Sequence, residues 1–72
     1  MKSELLKSYR SKHGLVRLKR FTSTSGSVSF EVIIYAPSGL ISFQKFNSYL
    51  SAVKYYYFLI PKSARPPQFR NL

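Results

Sequence analysis

Val28-Ser29-Phe30-Glu31-Val32-Ile33-Ile34-Tyr35, followed by Ala36-Pro37-Ser38-Gly39, decides how this chain folds. Val28, Phe30, Val32 and Ile34 alternate with Ser29, Glu31, Ile33 and Tyr35. That period of two predicts a β-strand over residues 28–36 with one fully apolar face. Pro37-Ser38-Gly39 supplies the chemistry of a turn. A further strand is expected over residues 40–46, with Ile41 and Phe43 opposed to Ser42 and Gln44. On the other side, residues 22–27 (Thr-Ser-Thr-Ser-Gly-Ser) read as a polar turn. Residues 15–22 alternate again, Val16 and Leu18 pointing one way and Arg17, Lys19 and Phe21 the other.

After Phe46 the period changes. Asn47 or Ser48 is a good helix N-cap. Ala52, Val53, Tyr56, Leu59 and Ile60, with Tyr49 one turn earlier, share one helical face. Pro61 ends the helix, because its ring clashes with the preceding turn. The expected fold class is therefore α+β. Residues 15–60 form a three-stranded antiparallel sheet packed against one C-terminal helix. The expected core is Val16, Leu18, Val28, Phe30, Val32, Ile34, Ile41, Phe43, Phe46, Ala52, Val53, Tyr56, Leu59 and Ile60. Residues 1–14 read as a basic arm or short helix, with Leu5, Leu6 and Tyr9 on one side and Gly14 as its stop. Residues 61–72 read as an extended, basic, Pro-containing tail with Phe69 as an anchor.

Charge is the strongest functional signal. Twelve Lys and Arg face two acidic residues, Glu4 and Glu31, across 72 residues, for a net charge of +10. Residues 1–20 carry +6, residues 61–72 carry +3, and the middle carries +1. Such a balance attracts polyanions, with strong salt dependence. Solubility alone does not require removing nearly every acid. The Phe and Tyr content of 17% argues against a wholly disordered basic peptide.

Catalytic chemistry is poorly represented. His13 is the only histidine and has no obvious carboxylate partner. The two glutamates are far apart in sequence, and the serines lack a base to activate them. There is no cysteine and no glycine-rich phosphate loop. The expectation is a protein that is not an enzyme and uses no cofactor and no metal. No segment reads as a signal peptide or membrane span, so an intracellular location in cytoplasm, nucleoid or organelle is expected.

Residues 46–56, Phe46-Asn47-Ser48-Tyr49-Leu50-Ser51-Ala52-Val53-Lys54-Tyr55-Tyr56, carry a resemblance. They are similar to the sheet-to-helix junction of plant ethylene-response-factor domains, with Phe46, Ser48, Ala52, Val53 and Tyr56 in matching roles. The same layout resembles the arm-binding domains of tyrosine recombinases. The resemblance covers residues 15–60 and implies a sheet laid in the DNA major groove and read by strand side chains. Ser42 and Gln44 stand where the plant family has Trp and Gly. A double-stranded-RNA-binding domain fits less well, since residues 47–51 lack the basic cluster that opens its last helix.

The functional expectation is a small basic nucleic-acid-binding protein, with DNA favoured over RNA. Phosphate contacts would come from both termini and the open sheet face. The candidate contacts are Lys7, Arg10, Lys12, Arg17, Lys19, Arg20, Tyr35, Gln44, Lys62, Arg65 and Arg70. One alternative is a ribosomal protein binding rRNA. Another is a phage-type effector of a host protein such as RNA polymerase, because residues 29–36 resemble one strand of a small phage inhibitor of that enzyme. Tyr55, Tyr57 and Phe58 are the candidate contacts for a protein partner, or else extra core under the N-terminal arm.

Overall fold

Four strands, not three, build the sheet in the computed structural model, which describes residues 1–71. They are β1 (Lys2–Ser11), β2 (Gly14–Thr22), β3 (Val28–Tyr35) and β4 (Ile41–Phe46). All pair antiparallel with their sequence neighbours in the order β1-β2-β3-β4. One helix, α1 (Tyr49–Leu59), lies across β2, β3 and β4 on one face. The strands expected at 15–22, 28–36 and 40–46 and the helix after Ser48 are all present, with ends shifted by a residue or so.

Residues 1–14 correct the expectation of an arm or short helix: they are the first strand and its turn. A β-bulge explains the misleading pattern. The register runs Leu5 opposite Lys19, then Lys7 opposite Leu18, which leaves Leu6 as the extra residue. Leu6 and Tyr9 both pack against the core. A spacing of three on one face suits a helix, and a strand achieves it only where a bulge resets its alternation. Gly14, expected as a helix stop, instead opens β2 after the turn Lys12-His13, where the His13 amide donates to Ser11 Oγ at 3.1 Å.

The core lies between α1 and the even-numbered positions of β2 and β3. Leu18 and Val32 are fully buried at its centre, with Phe30, Ala52, Val53, Tyr56 and Ile60 around them. Ser48 caps α1, its Oγ accepting from the Ser51 amide at 3.1 Å. The Phe46 and Tyr55 rings meet at a tilt of 46°, centroids 5.4 Å apart, at the junction from β4 into the helix. Burial raises the pKa of Tyr56 above its ordinary 10.0, and neighbouring Tyr57 and Tyr9 add to the shift.

Four residues expected in the core are outside its cluster: Ile34, which is half-buried on the helix side, and three that are strongly exposed. Ile41 is 59% exposed, Phe43 58% and Val28 46%. Ile41 and Phe43 pair with Tyr35 and Ile33, so they lie on the face that α1 does not cover. Tyr57 is core: its ring meets Tyr56 at 5.3 Å and Phe69 at 4.8 Å, with Lys7 Nζ 5.7 Å above it. Only Phe58 of the aromatic run projects outward as a strongly exposed ring.

The tail is compact where an extended segment was expected. Two short 3-10 turns, Lys62–Ala64 and Pro67–Phe69, fold it back against the helix end. Arg65 organises this return and is buried. Its guanidinium donates to the carbonyls of Ile60 at 3.2 Å, Phe58 at 3.2 Å and Arg70 at 3.3 Å. Carbonyls at a helix C-terminus lack intrahelical partners and favour a nearby cation. Arg65→Ala is expected to lower the unfolding free energy by about 2 kcal/mol, as bonds to charged groups do. Urea denaturation reads this directly. A loss below about 0.5 kcal/mol, within the range of a neutral surface change, would mean that water replaces the guanidinium without cost.

Candidate nucleic-acid interface

The face of the sheet opposite α1 is covered by nothing among the described residues. Its composition follows from strand alternation and register. Arg10, Leu15, Tyr35 and Ile41 form one row across the sheet. Ser8, Arg17, Ile33 and Phe43 form the next, and Leu5, Lys19, Glu31 and Lys45 the third. Ser3, Phe21 and Ser29 complete the β1 to β3 side. Three cations, Arg10, Arg17 and Lys19, therefore lie on β1 and β2, while the one strongly exposed ring, Phe43, lies on β4, with half-buried Tyr35 on β3 and half-buried Phe21 on β2. Lys45 is the fourth cation of the face, on the β4 edge.

Local contacts set the electrostatics. Arg17 lies over the Tyr35 ring at 5.4 Å. Its Nε is buried with no hydrogen-bond partner among the described residues, so the ring rather than a carboxylate holds the guanidinium. Glu31 is the single acid on this face. Lys45 Nζ approaches it at 3.8 Å, and Lys19 stands opposite it on β2. The carboxylate is thus flanked by two cations, which limits its repulsion of a phosphate. A shallow depression of about 290 Å³ at the top of the face is bordered by Arg10, Lys12, Leu15, Tyr35 and Pro37.

The sequence-predicted contacts divide by position. Arg10, Arg17, Lys19 and Tyr35 come together on the open face, with Lys12 in the turn above Arg10. Lys7 lies on the helix side against Tyr57. Arg20 is also on that side, in an ion pair with Glu4. Gln44 pairs with Val32 and so points to the helix side of the edge strand, not to the open face. Lys62 and Arg70 are exposed in the tail, away from the sheet's open face. Arg65 is the internal cap described above.

Sequence reasoning missed Ile41, Phe43 and Lys45 as members of the open face. The signal that could have found them was Phe46. It packs on the core and so fixes the inward parity of its strand, which is shared by Ser42 and Gln44.

Among the described residues no three His, Cys, Asp or Glu side chains cluster, and no helix is long and apolar enough to cross a membrane. No protein-family model matches the chain, and no curated protein or solved structure matches it either.

Proposed function

We propose that this chain is a small nucleic-acid-binding protein whose contact surface is the open face of its sheet. The observation that carries this reading is the grouping of Arg10, Arg17, Lys19 and Lys45 on one uncovered face around a single carboxylate. The location of the charge supports it. Residues 1–20 carry +6 of the net +10 and form the β1–β2 hairpin rather than a loose arm; of their cations Arg10, Arg17 and Lys19 face the open side, and Lys2, Lys7 and Arg20 the helix side. A cationic surface fixed to a rigid sheet presents its charges in constant geometry, so little ordering is needed on binding. The likeness of residues 46–56 to a DNA-binding junction supports the choice of the sheet over the helix as the contact element.

Counterion release tests the reading. If about four phosphates are neutralised, affinity for a nucleic acid should fall about a hundredfold between 50 and 200 mM salt. Fluorescence anisotropy over that range gives the slope. A flat response would remove the electrostatic basis of the proposal.

A further inference from the structure

Charge alone does not account for the other half of the open face. Phe43 is 58% exposed and Ile41 59%, both on a strand that could carry polar side chains there at no cost to the core. Tyr35 and Phe43 are diagonal neighbours across β3 and β4, since Tyr35 pairs with Ile41 and Ile33 with Phe43. Side chains in that relation are close enough to act together. Resting on the nucleic-acid reading above, the geometry points to single-stranded DNA as the ligand: its phosphates follow the β1–β2 cations and its bases stack on Phe43 and on the Tyr35–Arg17 pair.

An exposed ring, Phe43, with cations to one side of it on β1 and β2 is what favours a single strand. A single strand has a charged edge and an unpaired base edge, and it can present both to one flat surface. In a duplex the base faces are already stacked on one another, so an exposed phenyl ring in the groove meets only base edges. Arg17 serves both halves. It is held against Tyr35 at 5.4 Å, with a buried Nε that has no hydrogen-bond partner among the described residues. Guanidinium planes and aromatic rings are the two surfaces on which splayed bases stack.

The deoxy sugar follows from the surroundings of Phe43. Ile33 lies across from it and Ile41 and Lys45 flank it along β4, while the diagonal acceptor, the Glu31 carboxylate, is already approached by Lys45 at 3.8 Å. A ribose hydroxyl brought against Ile33 and Ile41 would be desolvated, and to donate its proton to Glu31 it would have to compete with Lys45. A second copy of this chain is a poor occupant, because facing sheets would oppose the same cations.

The test compares an oligo-dT, a duplex of the same length, an oligo-rU and an abasic single strand, each titrated by anisotropy at one salt concentration. Wild-type protein should bind oligo-dT at least tenfold more tightly than the duplex or the abasic strand, and no more weakly than oligo-rU. Phe43→Ala should weaken oligo-dT binding roughly tenfold. Duplex and abasic binding should stay within twofold, and Phe43→Trp should restore the oligo-dT affinity. The ring is exposed, so the Ala variant should fold, and an unchanged thermal midpoint would verify that. Equal binding of duplex and single strand, or no effect of Phe43→Ala, would overturn this inference while leaving the charge-based reading in place. Preference for oligo-rU would overturn the choice of DNA, and absence of salt-dependent binding to any probe would overturn both readings.

Discussion

Gly14→Ala should lower the unfolding free energy by about 3–5 kcal/mol, combining a strained backbone with a steric overlap. Gly14 has φ +124°, a region that L side chains rarely adopt. A Cβ there would stand 2.3 Å from the carbonyl oxygen of Tyr35 and 3.4 Å from Cα of Ala36. Those atoms are backbone at the end of β3, so no flexible side chain can yield. Either the β1–β2 turn or the end of β3 must move, and with it the row that holds Arg10 and Tyr35. A domain of this size has a total stability of only about 4–11 kcal/mol. The variant should therefore unfold at least about 12 °C lower. Gly39→Ala is the control: its φ is +94°, but nothing lies within 4 Å of the added Cβ. Equal losses in the two variants would mean that the close approach to Tyr35 has no energetic weight.

The second large effect concerns binding. Arg17→Ala combined with Lys19→Ala should reduce the slope of log affinity against log salt by about 1.4–1.8, the share of two phosphate contacts. At low salt the affinity should fall by more than about tenfold. Lys54→Ala combined with Lys62→Ala removes the same formal charge from exposed positions on α1 and the tail. If net charge alone drew the ligand, the two double variants would behave alike. The open-face reading requires the first to be much the weaker binder, and equal slopes would contradict it. Both Arg17 and Lys19 lie on the side of β2 away from the core, so melting curves should separate a binding loss from an unfolding one.

The sequence was most readable where alternation was uninterrupted. In β3 and β2 the faces were assigned as found, because Phe30, Val32, Val16 and Leu18 keep one parity against Glu31, Arg17 and Lys19. β4 was read with the wrong face inward. Ile41 and Phe43 are apolar, and apolarity was taken for burial. A small sheet cannot hide every ring, and function can keep one outside. Phe46 could not share the core with Phe43 on a straight strand, and that conflict was visible in the sequence. The interruption at Leu6 concealed β1 altogether. Of the candidate contacts on β2, Arg17 and Lys19 were legible because their face was, whereas Arg20 shares the parity of Leu18 and lies on the helix side with Glu4. Arg65 was not legible, since nothing in Lys62-Ser63-Ala64-Arg65 announces that the tail folds back over the carbonyls of Phe58 and Ile60.

The bulge at Leu6 has one more effect. β1 is the longest strand and lies at the edge of the sheet, so its outer amides and carbonyls could template another chain. An irregularity in mid-strand breaks the even ladder that a newcomer would need, and Lys2, Lys7 and Arg10 along the same strand repel an identical neighbour. The bulge and these charges thus work against edge-to-edge pairing at β1. The feature that hides the first strand from a reader of the sequence also keeps that strand from pairing with its own copies.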